Sequence, residues 1–266
     1  MTLQRKPRSC GGWPNCVRSA VPTVVWRWVD ETGATRKGFG MDTGTADAVL
    51  GEIAAGGPSL VVVAHPDDES FGLGGVLAAL AVLGADIRVL CLTAGEASTL
   101  GAVADLAEIR RDELSAAAAG LGIGDVALLD FPDGGLDGVD PDALDAVVVD
   151  ALGTAATLVV FESSGVTGHP DHRAATASAV RVARERGLRV LEWGVAPAVA
   201  DALNREFGAA FAGFEGDDVL DVAVDREMQA AAIACHASQA TDNPVLRRRL
   251  ELSGPLDRIR SITQRR

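Results

Sequence analysis

From Pro58 onward, short aliphatic or β-branched runs alternate with Ala/Leu-rich stretches of helical length, and this alternation constrains the fold more than any other feature of the chain. Strands are predicted at Leu60 to Ala64, Ile87 to Leu92, Val126 to Leu129, Thr157 to Phe161, Arg189 to Trp193 and Val219 to Val224. Helices are predicted at Gly74 to Leu83, Val103 to Gly120, Pro141 to Leu152, Asp171 to Arg186, Ala196 to Phe207 and Asp225 to Ala237, with an amphipathic helix over Thr45 to Ala55 ahead of the first strand. Several predicted helices stop at a glycine able to turn left-handed, as at Gly84, Gly120, Gly153 and Gly187. The last 25 residues are Arg-rich and read as helical. The expected class is α/β: a Rossmann-like open, mostly parallel sheet with helices on both faces.

In such a sheet the loops at the carboxyl ends of the strands converge on one edge, where ligands bind. The first predicted strand ends in Val63-Ala64-His65-Pro66-Asp67-Asp68-Glu69-Ser70, which crowds one imidazole and three carboxylates into five positions. Charges of one sign packed this closely repel one another, and a divalent cation would neutralise them. The bland alternative is a surface acidic turn that caps the following helix. With Pro66 forcing a turn, His65 and Asp68 can face the same side, with Asp67 between them and close to the metal without coordinating it.

The fourth predicted strand is followed by Gly168-His169-Pro170-Asp171-His172-Arg173, a second His-Pro-Asp loop that opens a helix at the same edge. Three of the chain's four histidines lie in these two loops, which the topology brings together across about 100 residues of sequence. His65, Asp68 and one histidine of the second loop make a two-nitrogen, one-oxygen set with an open position for water, the pattern of catalytic zinc sites and of hydrolysis. Other divalent first-row metals suit the same donors. The fourth histidine, in Cys235-His236-Ala237-Ser238-Gln239, ends an apolar helix and reads either as a helix-end cap or as support behind the site. The glycines of Phe71-Gly72-Leu73-Gly74-Gly75 do not form G-x-G-x-x-G, and the acidic residues before them would repel a pyrophosphate. They are expected to let a helix approach the sheet, and a nucleotide-binding role is disfavoured.

The net charge of −13 argues against nucleic acid, whose phosphates demand a basic footprint. The sequence has no apolar run of membrane-spanning length and no signal-peptide core, so the protein reads as cytoplasmic. Cys91 and Cys235 sit in apolar stretches and read as small core residues, while Cys10 and Cys16 lack zinc-site spacing. Residues 1–40 differ from the rest: they hold seven basic and two acidic residues, both lysines of the chain, and Trp13, Trp26 and Trp28. One reading is a basic, aromatic arm that folds onto the acidic body or docks a partner. The preferred reading is a disordered or mis-started leader, with Met41 an alternative start and a single functional domain over residues 41–266.

Taken together, Ala64-His65-Pro66-Asp67-Asp68-Glu69 and Gly168-His169-Pro170-Asp171-His172 resemble the LmbE/PIG-L family of zinc-dependent N-acetylglucosaminyl deacetylases. The resemblance spans about Pro58 to Arg260 and is joined by Thr93-Ala94-Gly95-Glu96, Arg110 and Glu113, Phe131-Pro132-Asp133, and His236-x-Ser238-Gln239. It implies that His65, Asp68 and His172 bind zinc, that Asp67 is the general base and that His169 assists at the transition state. By the same resemblance Arg110, Asp133 and Glu96 contact the substrate's polyol; on physical grounds Asp171 is expected to orient a ligand from behind, with His236 as secondary support. The implied reaction is hydrolysis of the N-acetyl amide of an N-acetylglucosamine-type sugar or conjugate to amine and acetate. Amide cleavage in a larger sugar-linked conjugate or natural product is the alternative within the same chemistry, and a non-catalytic sugar- or metal-binding module the alternative outside it. The implied partner is a small amino-sugar substrate; the sequence carries no signal of oligomeric state. Two positions depart from the family pattern: Thr167 stands where mycothiol-pathway deacetylases have a tyrosine, and Gln229 where the late helix usually has a lysine.

Overall fold

The computed structural model describes residues 43–100 and 103–263. The segment 1–40, with Cys10, Cys16 and three tryptophans, lies outside the described residues. In chain order the elements are α1 (Thr43–Gly56), β1 (Ser59–Val63), a one-turn helix α2 (Asp68–Phe71), α3 (Gly74–Val82), β2 (Ile87–Thr93), α4 (Leu106–Gly120), β3 (Asp125–Phe131), α5 (Pro141–Leu152), β4 (Thr157–Phe161), α6 (Pro170–Arg186), β5 (Arg189–Gly194), α7 (Pro197–Phe207), β6 (Val219–Ala223), α8 (Arg226–Cys235), α9 (Ala237–Ala240), α10 (Pro244–Ser253) and β7 (Leu256–Thr263). They build one sheet ordered β3-β2-β1-β4-β5-β7-β6. Strands β1 to β5 pair in parallel, and β7 runs antiparallel between β5 and β6.

Strands β1 and β4 are buried at every position because helices cover both faces of the sheet, which suits their uninterrupted apolar sequences. Their side chains divide between two cores. Val61, Val63, Val159 and Phe161 pack with Leu50, Leu77 and Leu114 of α1, α3 and α4. Leu60, Val62, Leu158 and Val160 pack on the other face with Leu144, Val148, Ala179 and Val182 of α5 and α6. Helix α5 shows how the sequence sets its own limits: Asp140 accepts a hydrogen bond from the Asp142 amide at 3.1 Å, Pro141 occupies the first helical position, and Gly153 ends it at a φ of 50°. The class expected from the sequence is the class observed.

Three expectations need correction. The C-terminal segment is not helical throughout, because α10 ends at Ser253 and Leu256–Thr263 is a strand. Gly120 is the last residue of α4 and the left-handed turn falls to Gly122, at a φ of 78°. The helix predicted over Asp225 to Ala237 breaks at His236, where α8 stops and α9 begins. The glycines after β1 do allow close packing: a side chain at Gly72 would run into the Phe161 ring, and one at Gly75 into Asp257 and Arg226. Cys91 is buried and Cys235 half-buried, both as free thiols. Among the described residues no helix is long and apolar enough to cross a membrane.

Strand β1 has β2 on one side and β4 on the other, so the chain reverses its direction of travel across the sheet between them. The loops after β1 and β4 therefore open at the point where an α/β sheet leaves a crevice.

Candidate metal and catalytic site

The loop after β1 is folded back by its own carboxylate, since Asp68 Oδ2 accepts from the amides of Ala64 (3.2 Å) and His65 (3.0 Å). Asp67 adopts a φ of 115°, a region that disfavours every residue with a side chain. Its neighbours hold it there. The Asp67 carbonyl accepts from the amides of Ser70 and Phe71, and its own amide donates to Glu69 Oε2 at 3.0 Å. Glu69 is fully buried; its Oε1 accepts from Ser70 Oγ at 2.6 Å and lies 2.7 Å from Nε2 of the equally buried His236. Sequence reasoning gave Glu69 no role, although its place in the carboxylate cluster was visible.

The second loop starts α6. His169 is the N-cap, and its Nδ1 accepts from the Asp171 amide at 3.2 Å, which leaves the neutral ring its proton on Nε2. His172, one turn on, points Nδ1 at the Gly165 carbonyl, 3.1 Å away. Asp171, fully buried, accepts from the amides of Gly134 (2.7 Å) and Leu136 (3.0 Å) and lies 3.2 Å from His65 Nε2.

The two loops meet. His65 Nδ1 is 3.2 Å from His172 Nε2 and 3.7 Å from Asp68 Oδ2, and His172 Nε2 is 3.2 Å from Asp68 Oδ1. The outward nitrogens are committed as donors, His172 Nδ1 to a carbonyl and His65 Nε2 to carboxylates. The inward nitrogens therefore present lone pairs to each other and to a carboxylate oxygen. With both rings neutral, three acceptors converge here, an arrangement that a cation satisfies. His65 belongs to two further groups with ligand atoms within 4.8 Å of one another, one with His169 and His172 and one with Asp133 and Asp171. The second of these faces Nε2, the opposite side of the ring, so it cannot hold the same ion as His172; its two carboxylates flank that nitrogen instead.

Arg110 projects from α4, 3% exposed, and donates Nη1 to the Gly95 carbonyl at 2.7 Å and Nη2 to the Pro66 carbonyl and to Asp67 Oδ2 at 2.9 Å. Nη2 is thus spent on the loop that carries Asp67 and Nη1 on the loop after β2, while the buried Nε has no partner among the described residues. Asp133, after β3, lies 3.0 Å from His65 Nε2 and accepts from the Ala97 amide at 2.8 Å. Glu96 is exposed and accepts from the Asp133 amide at 3.0 Å, so it reaches the site through Asp133. Glu113, one turn after Arg110 on α4, accepts from Ser238 through both amide (2.8 Å) and hydroxyl (2.7 Å), which ties the late His-x-Ser-Gln segment to the site. Gln229, the departure in α8, is buried, donates to the Ser70 carbonyl at 2.9 Å and accepts from Arg226 at 2.6 Å. Thr167 is half-buried at the rim.

Burial alone would lower the pKa of His65, but its bonds to Asp133 and Asp171, with the charge of Asp68, raise it to about 10. His172 is likewise raised, burial being outweighed by Asp68. Burial pushes Asp68 up, yet His172 and His65 hold it below the usual carboxylate range. Burial raises Asp67 to about 7 against the opposing charge of Arg110. His169 is lowered by burial and by the charges of His172 and His65. The site thus pairs a carboxylate poised near neutrality with a neutral imidazole, beside a cluster that attracts positive charge.

Residues 60–183 match the sequence profile of the PIG-L family, described as GlcNAc-PI de-N-acetylase. The chain is 30% identical over 240 residues to 1D-myo-inositol 2-acetamido-2-deoxy-alpha-D-glucopyranoside deacetylase of Rhodococcus opacus, covering 70% of this chain and 82% of that one. It is 32% identical to N-acetylglucosaminyl-phosphatidylinositol de-N-acetylase of Bos taurus, covering 84% of this chain and 88% of that one. In three dimensions it resembles N,N'-diacetylchitobiose deacetylase from Pyrococcus horikoshii, with a TM-score of 0.56, 21% identity and coverage of 81% of this chain and 87% of that one. The matched span contains both His-Pro-Asp loops, and the likeness extends over more than four fifths of two relatives: the chain belongs to the PIG-L family of de-N-acetylases.

Proposed function

We propose that this chain is a zinc-dependent N-deacetylase that hydrolyses the acetamide of an N-acetylglucosamine-type sugar conjugate to a free amine and acetate. The observation that carries the reading is the convergence of lone pairs from His65, Asp68 and His172 beside Asp67. When bound to those three residues, zinc supplies a Lewis acid that polarises the amide carbonyl and makes a coordinated water acidic. Asp67 takes the proton of the attacking water on its carboxylate and returns it to the departing nitrogen. Arg110 holds that carboxylate in place. His169, capped through Nδ1, offers Nε2–H to the carbonyl oxygen as negative charge develops there. Asp171 and Asp133 fix the His65 ring, and Glu69 with His236 braces the loop from behind.

The sugar is assigned to the polar cavity of about 310 Å³ lined by Asp67, Arg110, Asp133 and His169. The substrates named for the relatives, N-acetylglucosamine units linked to inositol or phosphatidylinositol, support this class. We place the reaction in the cytoplasm and the catalytic unit in residues 41–266. The test is metal content of the purified chain by elemental analysis, with amine release from N-acetylglucosaminyl-inositol and simpler N-acetylglucosamine glycosides. About one zinc per chain, lost in His65→Ala, together with amine release, is expected. A protein that takes up no zinc, or that binds it and releases no amine from any of these substrates, would overturn the reading.

A further inference from the structure

Two cavities of opposite character border the candidate metal site, and among the described residues they share Asp68 and His172. The polar one is assigned above. The other, about 160 Å³, is walled by Phe71, Phe161, Trp193, Phe211 and Val245. Aromatic contacts lead into it from the site: the Phe161 ring lies 5.1 Å from that of His172 and 5.5 Å from that of Trp193. Arg249, 4% exposed, completes the lining: it lies over the Trp193 ring at 5.4 Å and donates Nη2 to the Phe71 carbonyl, while its Nη1 has no partner among the described residues.

One wall is built against backbone preference. Val166 lines the cavity at a φ of 66°, where a β-branched residue is an outlier. The Glu162 carboxylate, buried beneath it, accepts from the amides of Ser164 (2.7 Å) and Val166 (2.9 Å), while the Val166 carbonyl accepts from the Ala212 amide at 2.7 Å. A strained residue over-determined in this way beside a functional site marks a shape the fold maintains.

An amide has two sides at its carbonyl carbon. With that carbon at the ligand cluster and the amino sugar in the polar cavity, the apolar cavity is left for the acyl substituent. The methyl of an acetyl group would leave most of it unfilled, since an apolar cavity of about 150 Å³ accommodates benzene. The geometry points to an acyl-side pocket, so that the chain cleaves amino-sugar amides whose acyl group is larger than acetyl, an aliphatic chain of about six carbons or a phenyl ring. This inference rests on the amide-hydrolase reading above.

The experiment compares N-acetyl-, N-hexanoyl- and N-benzoyl-glucosamine glycosides as substrates. It also titrates the full chain with sodium acetate, hexanoate and benzoate by calorimetry, both zinc-loaded and after chelation. Hexanoyl and benzoyl amides are expected to be cleaved with kcat/KM at least equal to that of the acetyl amide, and hexanoate to bind at least about tenfold more tightly than acetate. Val245→Phe, which fills the cavity, should lower the hexanoyl-to-acetyl ratio at least about tenfold in both measurements, and Val245→Ala should not lower it. Cleavage confined to the acetyl amide, with acetate and hexanoate bound equally, would overturn the pocket and leave the deacetylase reading standing. If no amide is cleaved, that reading falls and the titrations decide the pocket: discrimination lost in Val245→Phe supports it, and none in the wild type overturns it.

Discussion

His236 and Glu69 meet in the interior, Nε2 of one 2.7 Å from Oε1 of the other, with neither residue reaching solvent. Burial lowers the imidazole pKa, but the bond to Glu69 and its charge outweigh burial and raise it above the ordinary value of about 6.5. A pKa raised on folding gives stability that is complete below the unfolded value and drains away as pH climbs through the folded one. The melting temperature of wild type should therefore exceed that of His236→Gln most below about pH 6, with the gap narrowing toward alkaline pH. Scanning calorimetry across that range measures it; a gap independent of pH would mean that the pair carries no charge.

Asp67→Asn keeps the shape of the side chain and removes the proposed base. We expect zinc content unchanged and kcat reduced by roughly 10²- to 10⁴-fold, the usual contribution of a positioned base. Elemental analysis beside steady-state kinetics checks both halves, and normal turnover in the variant would remove Asp67 from its assigned role.

Because Arg110 opposes the effect of burial on Asp67, Arg110→Met should raise the pKa of that carboxylate further above about 7. A base with a higher pKa is protonated over more of the range, so the acid limb of the kcat profile should move to higher pH. KM should change little, since both Nη groups go to Gly95, Pro66 and Asp67 and Nε is buried. A large rise in KM with an unmoved profile would instead show that Arg110 binds the polyol.

Ligand and support are expected to separate in metal affinity. His172→Ala deletes a donor and should leave little bound zinc. Asp171→Asn keeps the donors while weakening the hold on His65, and should cost about 10- to 100-fold in affinity. Competition with a chromogenic chelator distinguishes the two; an Asp171→Asn affinity equal to wild type would place the orienting role on Asp133 alone.

Removing residues 1–40 should leave amine release within about twofold of the full chain, because each residue assigned to the site lies after residue 41. Kinetics on both forms settles it. An inactive or insoluble product would give that segment a structural duty.

The parts of the fold that were legible in the sequence are those buried on both faces. Strands β1 and β4 are uninterrupted apolar runs, and their ends carry the histidines and carboxylates, so both loops and their meeting could be read directly. Strand β7 was missed because Arg258 and Arg260 resemble the polar face of a helix. In the fold they alternate with Asp257 and Ile259, which are buried, and pair across the sheet with Asp221 and Glu192. That period of two was the available signal. The partnership of Arg110 with Asp67 could not be read, because it joins residues 43 positions apart and depends on the rotation of α4. The unusual backbone of Asp67 was hidden for a related reason: only the bonds from Glu69, Ser70 and Phe71 make that conformation tolerable.

The insertion of β7 between β5 and β6 also orders events during synthesis. Among the described residues strand β6 pairs with β7 alone, and β7 is the last element, so β6 lacks that neighbour until residues 256–263 have left the ribosome. Until then β5 is an open edge, its backbone groups unpaired on one side and available to another nascent chain. The five parallel strands that carry both His-Pro-Asp loops can assemble earlier. A ribosome stalled before Leu256 would therefore hold a nascent chain with its two His-Pro-Asp loops already gathered and one flank of its sheet still adhesive.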